Sequence, residues 1–239
     1  MDAGMSVGDV VHTVELGPVI GPYLPIWGGQ EATYWWLERP DLLLDLVGGG
    51  QVARVPMGRN RFREMGLLTV AADGRSAHLA LVARYRSPDG GVSQIASVPL
   101  TRVDEQTAKA AVTRDSWMAF CRWLGRAALS AAERGELVVV ESGGQEPPVA
   151  PYVLSAVTRG PDGQWYSLIE TSPAPVGAEV WRDQAQSGPG QTLSAPASRS
   201  GVEVAGVLAG LAIDTWNRHP FDLALTYGPG PSGPWVPER

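Results

Sequence analysis

The sequence predicts an α+β fold: mostly antiparallel sheet with two main helices on one face, arranged as pseudo-repeated β-β-α-β halves. Three observations predict it. Short apolar runs separated by glycine- and aspartate-containing turns fill the first hundred residues. Two longer runs, 115–134 and 201–218, read as helices. Finally, "RSPDGGVSQIASVP" at 86–99 returns as "RGPDGQWYSLIETSP" at 159–173, each followed by a helical run and a strand.

Taken in order, "DVVHTVEL" reads as a strand. "LLLDLV" and "QVARV" read as two more, joined by Gly48, Gly49 and Gly50, whose freedom at positive φ suits a hairpin. "GLLTV" and "AHLALVARYR" flank "AADGRS"; in the latter strand Leu79, Leu81, Ala83 and Tyr85 form the core side. Pro88-Asp89-Gly90 turns the chain into "VSQIASV". Helical character begins near Asp104 and strengthens from Asp115, the expected N-cap. Trp117, Phe120, Cys121, Leu124, Ala128 and Ala131 then recur at helical spacing until Gly135 stops the helix. "ELVVVES" is a buried strand.

After the Gly/Pro-rich link "ESGGQEPPVAP" the order repeats. "YVLSAVTR", a turn and "WYSLIETS" lead to the helix "GVEVAGVLAGLAIDTWNR" and the strand "FDLALTY". Residues 182–200, polar with Gly and Pro, read as a flexible excursion. The expected division is 1–145 for a β-meander and helix half, 146–227 for a β-β-α-β half, and 228–239 for an extended Pro/Gly-rich tail.

Composition narrows the function classes. A net charge of -6 argues against a nucleic-acid partner, which calls for a basic field to neutralise phosphates. Lys109 is the single lysine among 19 basic residues in a chain rich in Ala, Gly, Arg and Pro, a composition expected of a GC-rich, actinobacterial-like coding sequence. With Cys121 alone there is no intramolecular disulfide and no multi-thiolate metal site. The N-terminus has no signal-peptide pattern and no apolar run reaches membrane-spanning length, so a cytoplasmic chain without a membrane partner is expected.

Catalytic signatures are missing from the sequence. His12, His78 and His219 are scattered without metal-ligand spacing, and no G-x-S-x-G, P-loop or G-x-G-x-x-G pattern occurs, so no catalytic residue, metal or cofactor is expected. Cys121 sits on an apolar stripe, where a thiol behaves as a small hydrophobe. Asp41 and Asp45, read on a strand, stand about 13 Å apart, too far to share a proton; on a helix they would be close, but the following glycines favour the strand hairpin.

Two stretches rise above this background. Arg59, Arg61 and Arg63 alternate in "GRNRFRE"; on an extended segment all three guanidinium groups share one face and can grip carboxylates or phosphates, or else form a solvated edge strand. In "YWWLERPDLLLDL", Tyr34, Trp35 and Trp36 are interface candidates that are equally at home in a core. The reading that follows is a non-catalytic protein- or peptide-binding module, an adaptor, chaperone or immunity-type factor. The alternative is a small-molecule-binding protein or enzyme acting on an anionic substrate in a pocket between the two halves.

Overall fold

The computed structural model describes residues 10–28, 31–56, 62–86, 92–142, 152–171, 186–187, 191–196, 206–207, 209–210, 213–214, 216 and 218–231. It is a large, mostly antiparallel sheet with few helices, and its strands divide into a ring and an open blade.

The ring starts at β1 (Val10–Leu16), which lies antiparallel to β5 (Phe62–Val70) from Val10↔Val70 to Glu15↔Met65. At its other end β1 pairs with β2 (Tyr23–Gly28) through Glu15↔Trp27 and Leu16↔Ile26. From there β2 pairs with β3 (Glu31–Leu37), β3 with β7 (Val92–Val103), β7 with β6 (Ser76–Arg86), and β6 with β5 again. Six strands thus close into a small barrel, joined at the β1–β2 seam by two residue pairs. Alternate residues point inward: Leu24, Ile26, Trp35, Leu68, Leu79 and Leu81 are all buried. Leu79 and Leu81 face the core as the alternation predicts. A register shift between Leu81 and Val82 then buries Val82 as well.

The blade grows from the first residues of β5. There Phe62 pairs with Tyr227 of β13 (Leu223–Pro229), and β4 (Arg54–Pro56) pairs with β5 from Arg54↔Glu64 to Pro56↔Phe62. Beyond β13 lie β8 (Glu136–Ser142), β9 (Tyr152–Arg159), β10 (Trp165–Thr171), β12 (Gln191–Pro196) and β11 (Gln186–Ser187). The β9–β10 turn is the one the Pro-Asp-Gly motif predicts: Gly163 takes φ +81° and Asp162 Oδ1 accepts from the Gln164 amide. The Pro88-Asp89-Gly90 turn lies outside the described residues.

Four sequence expectations need correction. "LLLDLV" is not a strand but part of α1 (Pro40–Gly48), with proline in the first turn and Asp41 beside it. The glycines end the helix rather than turn a hairpin: Gly50, at φ +65°, donates to Val47, and the Gln51 amide reaches back to Leu46. Leu43 and Val47, one turn apart, are the buried face. Secondly, Asp115 is not the N-cap of α3 (Arg114–Ala132). Thr113 is, exchanging reciprocal hydrogen bonds with Ser116, while Asp104 caps the separate α2 (Glu105–Ala110). Thirdly, the stretch 182–200 contains β11 and β12, and β12 is in register with the whole of β10 from Tyr166↔Pro196 to Thr171↔Gln191. A paired backbone there outweighs the polar composition. Lastly, β13 runs on through Gly228 and Pro229, and Gly230 donates to the Gly135 carbonyl, so the 228–239 stretch begins inside the sheet.

All six apolar positions anticipated on α3 are buried. The helix packs on β8, β9 and α1, and its Trp123 donates from Nε1 to the Leu44 carbonyl of α1. Gly206, Val207, Ala209, Gly210, Ile213 and Asp214 are helical. A methyl at Gly206 would overlap the backbone of Cys121 and Gly125, and one at Gly210 would overlap the Cys121 side chain. Two helical surfaces therefore meet here at backbone distance, which only small residues permit. Among the described residues no helix is long and apolar enough to cross a membrane.

Gly206→Val should cost about 2–3 kcal/mol, because the branched side chain has no room between the backbones; urea melts measure it. Cys121 is buried, and burial, with the nearby Asp214 charge, pushes its thiol up to about 12. A thiol reagent at pH 7.5 should label it roughly a hundredfold more slowly in the native state than in denaturant, as stopped-assay thiol counts will show.

Candidate functional site

β3 carries the aromatic triplet, and its strand geometry separates the three rings. Trp35 points into the barrel and donates from Nε1 to Thr33 Oγ1 at 2.8 Å. Tyr34 and Trp36 face outward. Tyr34 is nevertheless buried, with its ring 5.9 Å from that of Phe221 in the 3-10 turn Pro220–Asp222, and its hydroxyl donates to Glu105 of α2. Lys109 ties this covering together, bonded to Glu105 at 2.8 Å and Asp222 at 3.4 Å. Burial works against the Lys109 charge, but the Glu105 hydrogen bond and the Asp222 charge outweigh it and raise its pKa. Only Trp36 of the triplet reaches solvent, 36% exposed, across from Tyr23 and Thr101.

The arginine ladder is only partly in view. Arg59 and Arg61 lie outside the described residues. Arg63 is on β5 and bonds Glu15 of β1 at 2.6 Å, an ion pair that fastens two adjacent barrel strands.

One residue further on, pointing the other way, Glu64 enters a buried charge network that sequence reasoning did not anticipate. Arg54 is its cross-strand neighbour, with Nε 3.5 Å from Glu64 Oε1 and both side chains almost wholly buried. The same guanidinium bonds Glu136 of β8 at 2.6 Å and lies 3.7 Å above the Tyr227 ring. Arg134, after α3, also bonds Glu136 and reaches Ser130. The Tyr227 hydroxyl faces Glu64, yet neither it nor Glu64 Oε1 makes a well-formed hydrogen bond. Burial raises the Glu64 carboxyl to about 7 despite the Arg54 charge. Burial also pushes Glu136 upward, but Arg54 and Arg134 together bring it below the usual carboxylate value. The network joins β4, β5, β8 and β13, the strands where barrel meets blade.

The other notable arrangement is the barrel's mouth. A cavity of about 500 Å³ opens there, with Val14, Ile26, Leu68, Val70 and Trp35 as walls. Val10, 52% exposed, stands at its rim with His12, Glu31, Thr33 and Arg102. His12, scattered in sequence from the other polar groups, joins them here because closure of the ring places β1 opposite β3 and β7. Among the described residues no group of three or more His, Cys, Asp and Glu side chains is placed to hold a metal.

No family model matches the chain, and neither a curated protein nor a solved structure is found similar to it. The site must be read from its own geometry.

The buried network gives a pH signature. Glu64 holds its proton more tightly in the folded chain than at an unfolded value near 4.5. Its contribution is therefore complete below about pH 4.5 and is lost as pH rises through about 7, a change on the order of 3 kcal/mol. Urea melts between pH 5 and 8 should show wild type losing stability relative to Glu64→Gln as pH rises; parallel curves would mean that Glu64 does not titrate in this range.

Proposed function

We propose that this chain is a non-catalytic binding module for a protein or peptide segment, an adaptor, chaperone or immunity-type factor acting in the cytoplasm. The observation that carries the reading is Trp36. It is exposed on the outside of a rigid barrel strand while the two preceding aromatic residues are buried. Tryptophan joins a large apolar face to a hydrogen-bond donor and is favoured as a binding hot spot. Its surroundings suit a polar rim: Thr101 and Ser76 follow it across the neighbouring strands, and Glu38, Arg39 and Asp41 are exposed just beyond it along the chain. Arg59 and Arg61 are proposed as further contacts to an acidic partner, with Arg63 held back by Glu15.

The same reading takes the chain as two related halves, 1–145 and 146–227, followed by the 228–239 tail. Support comes from strand order about the adjacent β13 and β8, which runs β5, β6, β7 in one direction and β9, β10, β12 in the other. On each side three strands are followed in sequence by helical residues and a strand lodged beside the other half's first strand. The repeating unit on this view is β-β-β-α-β, one strand longer than the sequence echo suggests. The β9–β10 turn is then matched by Asp73-Gly74 between β5 and β6, where Gly74 takes φ +65° and Asp73 accepts from two following amides.

A photo-crosslinking amino acid at position 36, introduced in the native host, tests the assignment. A covalent adduct with one defined polypeptide is expected, and Trp36→Ala should weaken capture of that polypeptide roughly tenfold or more in a variant that melts lower but is folded at the assay temperature. Absence of any polypeptide adduct, with a metabolite retained on the purified protein instead, would reverse the order of the two readings.

A further inference from the structure

We infer that the mouth of the barrel is a binding site for a small apolar carboxylate, a molecule with an aliphatic body and one anionic head. The site is separate from Trp36, which lies on the barrel's outer surface, and does not depend on the peptide-binding reading.

The apolar half of the argument is the cavity itself. Its volume of about 500 Å³ lies within the range of small-molecule sites, and its walls are aliphatic side chains and the Trp35 indole. The indole N–H is already satisfied by Thr33, so the wall it presents asks for no hydrogen bond. Val10, half exposed beside it, leaves the opening accessible.

The charged half is Arg102. It is directly across from Trp35 on β7, lines the cavity, and makes no ion pair among the described residues. Its backbone amide bonds the Arg75 carbonyl, and both arginines line the adjoining cleft together with Asp104 and Glu105, of which Asp104 accepts from Thr107 and Glu105 is paired with Lys109. Glu31, the acidic group on the rim, stands four residues from Trp35 along β3, about 13 Å by strand rise, and makes no ion pair with Arg102 among the described residues. His12, the remaining titratable rim group, adds no negative charge. A guanidinium at the edge of a largely apolar pocket recognises a carboxylate whose hydrocarbon portion fills the pocket.

Calorimetric titration with decanoate, 1-decanol and decyltrimethylammonium tests this. Decanoate should bind one per chain and more tightly than the other two, and the exposed-site variant Arg102→Gln should weaken it roughly tenfold while leaving the melting curve in place. Val10→Trp, which fills the opening from an exposed position, should abolish binding. Quenching by 10-bromodecanoate locates the ligand independently of that variant's folding: quenching lost in Trp35→Phe supports the mouth, and quenching retained places the ligand elsewhere. Failure of decanoate to bind, equal binding of decanol, or unchanged affinity in folded Arg102→Gln would each overturn the inference.

Discussion

Arg54 occupies the one place where two different sheet architectures share a strand. The first residues of β5 belong to the open blade and the rest to the barrel, so the backbone must bend from one curvature to the other beside Glu64. A buried guanidinium between a tyrosine face and two glutamates fixes that bend from four strands at once. Such a network is expensive to desolvate, and a hydrophobic cluster of equal volume would often be as stable. What charge adds is direction: Glu136 bonds Arg54 from β8 while Glu64 faces its Nε from β5, so the guanidinium is held between the two strands.

Trp35 and Trp36 express the consequence of that arrangement for function. Closure of the ring assigns successive residues of β3 to opposite surfaces, one facing an apolar interior and the other facing solvent. Adjacent tryptophans therefore face two separate environments, one enclosed and apolar and one external, and it is on this division that the two proposed binding surfaces rest. The barrel fixes the phase of β3 for both, since β2 and β7 pair with it on its two sides.

Much of the fold is legible in local sequence because its strands largely alternate and its turns use aspartate-glycine pairs; Leu79 and Leu81 of β6 and the six apolar positions of α3 are examples. α1 was misread because three consecutive leucines fit either period, and the decisive signals, Pro40 at its start and Gly50 after its end, are also hairpin residues. β12 was misread because its pairing with β10 is a tertiary fact that overrides polar composition. The candidate site was less legible still. His12, Trp35 and Arg102 are distant in sequence and meet only because β1 pairs with both β2 and β5, and nothing in the chain announces that closure. Arg63 and Glu64 were visible as charges, but which of them faces Glu15 and which faces Arg54 depends on strand phase.

The position of β13 between β5 and β8 also bears on how the chain emerges from the ribosome. β5 and β8 are complete long before residues 223–229 are made, and until then each presents an edge with unmet backbone donors and acceptors. From the completion of β8 at residue 142 to that of β13 at residue 229, roughly a third of synthesis, the edge of β8 and the Phe62 end of β5 await the strand that joins them.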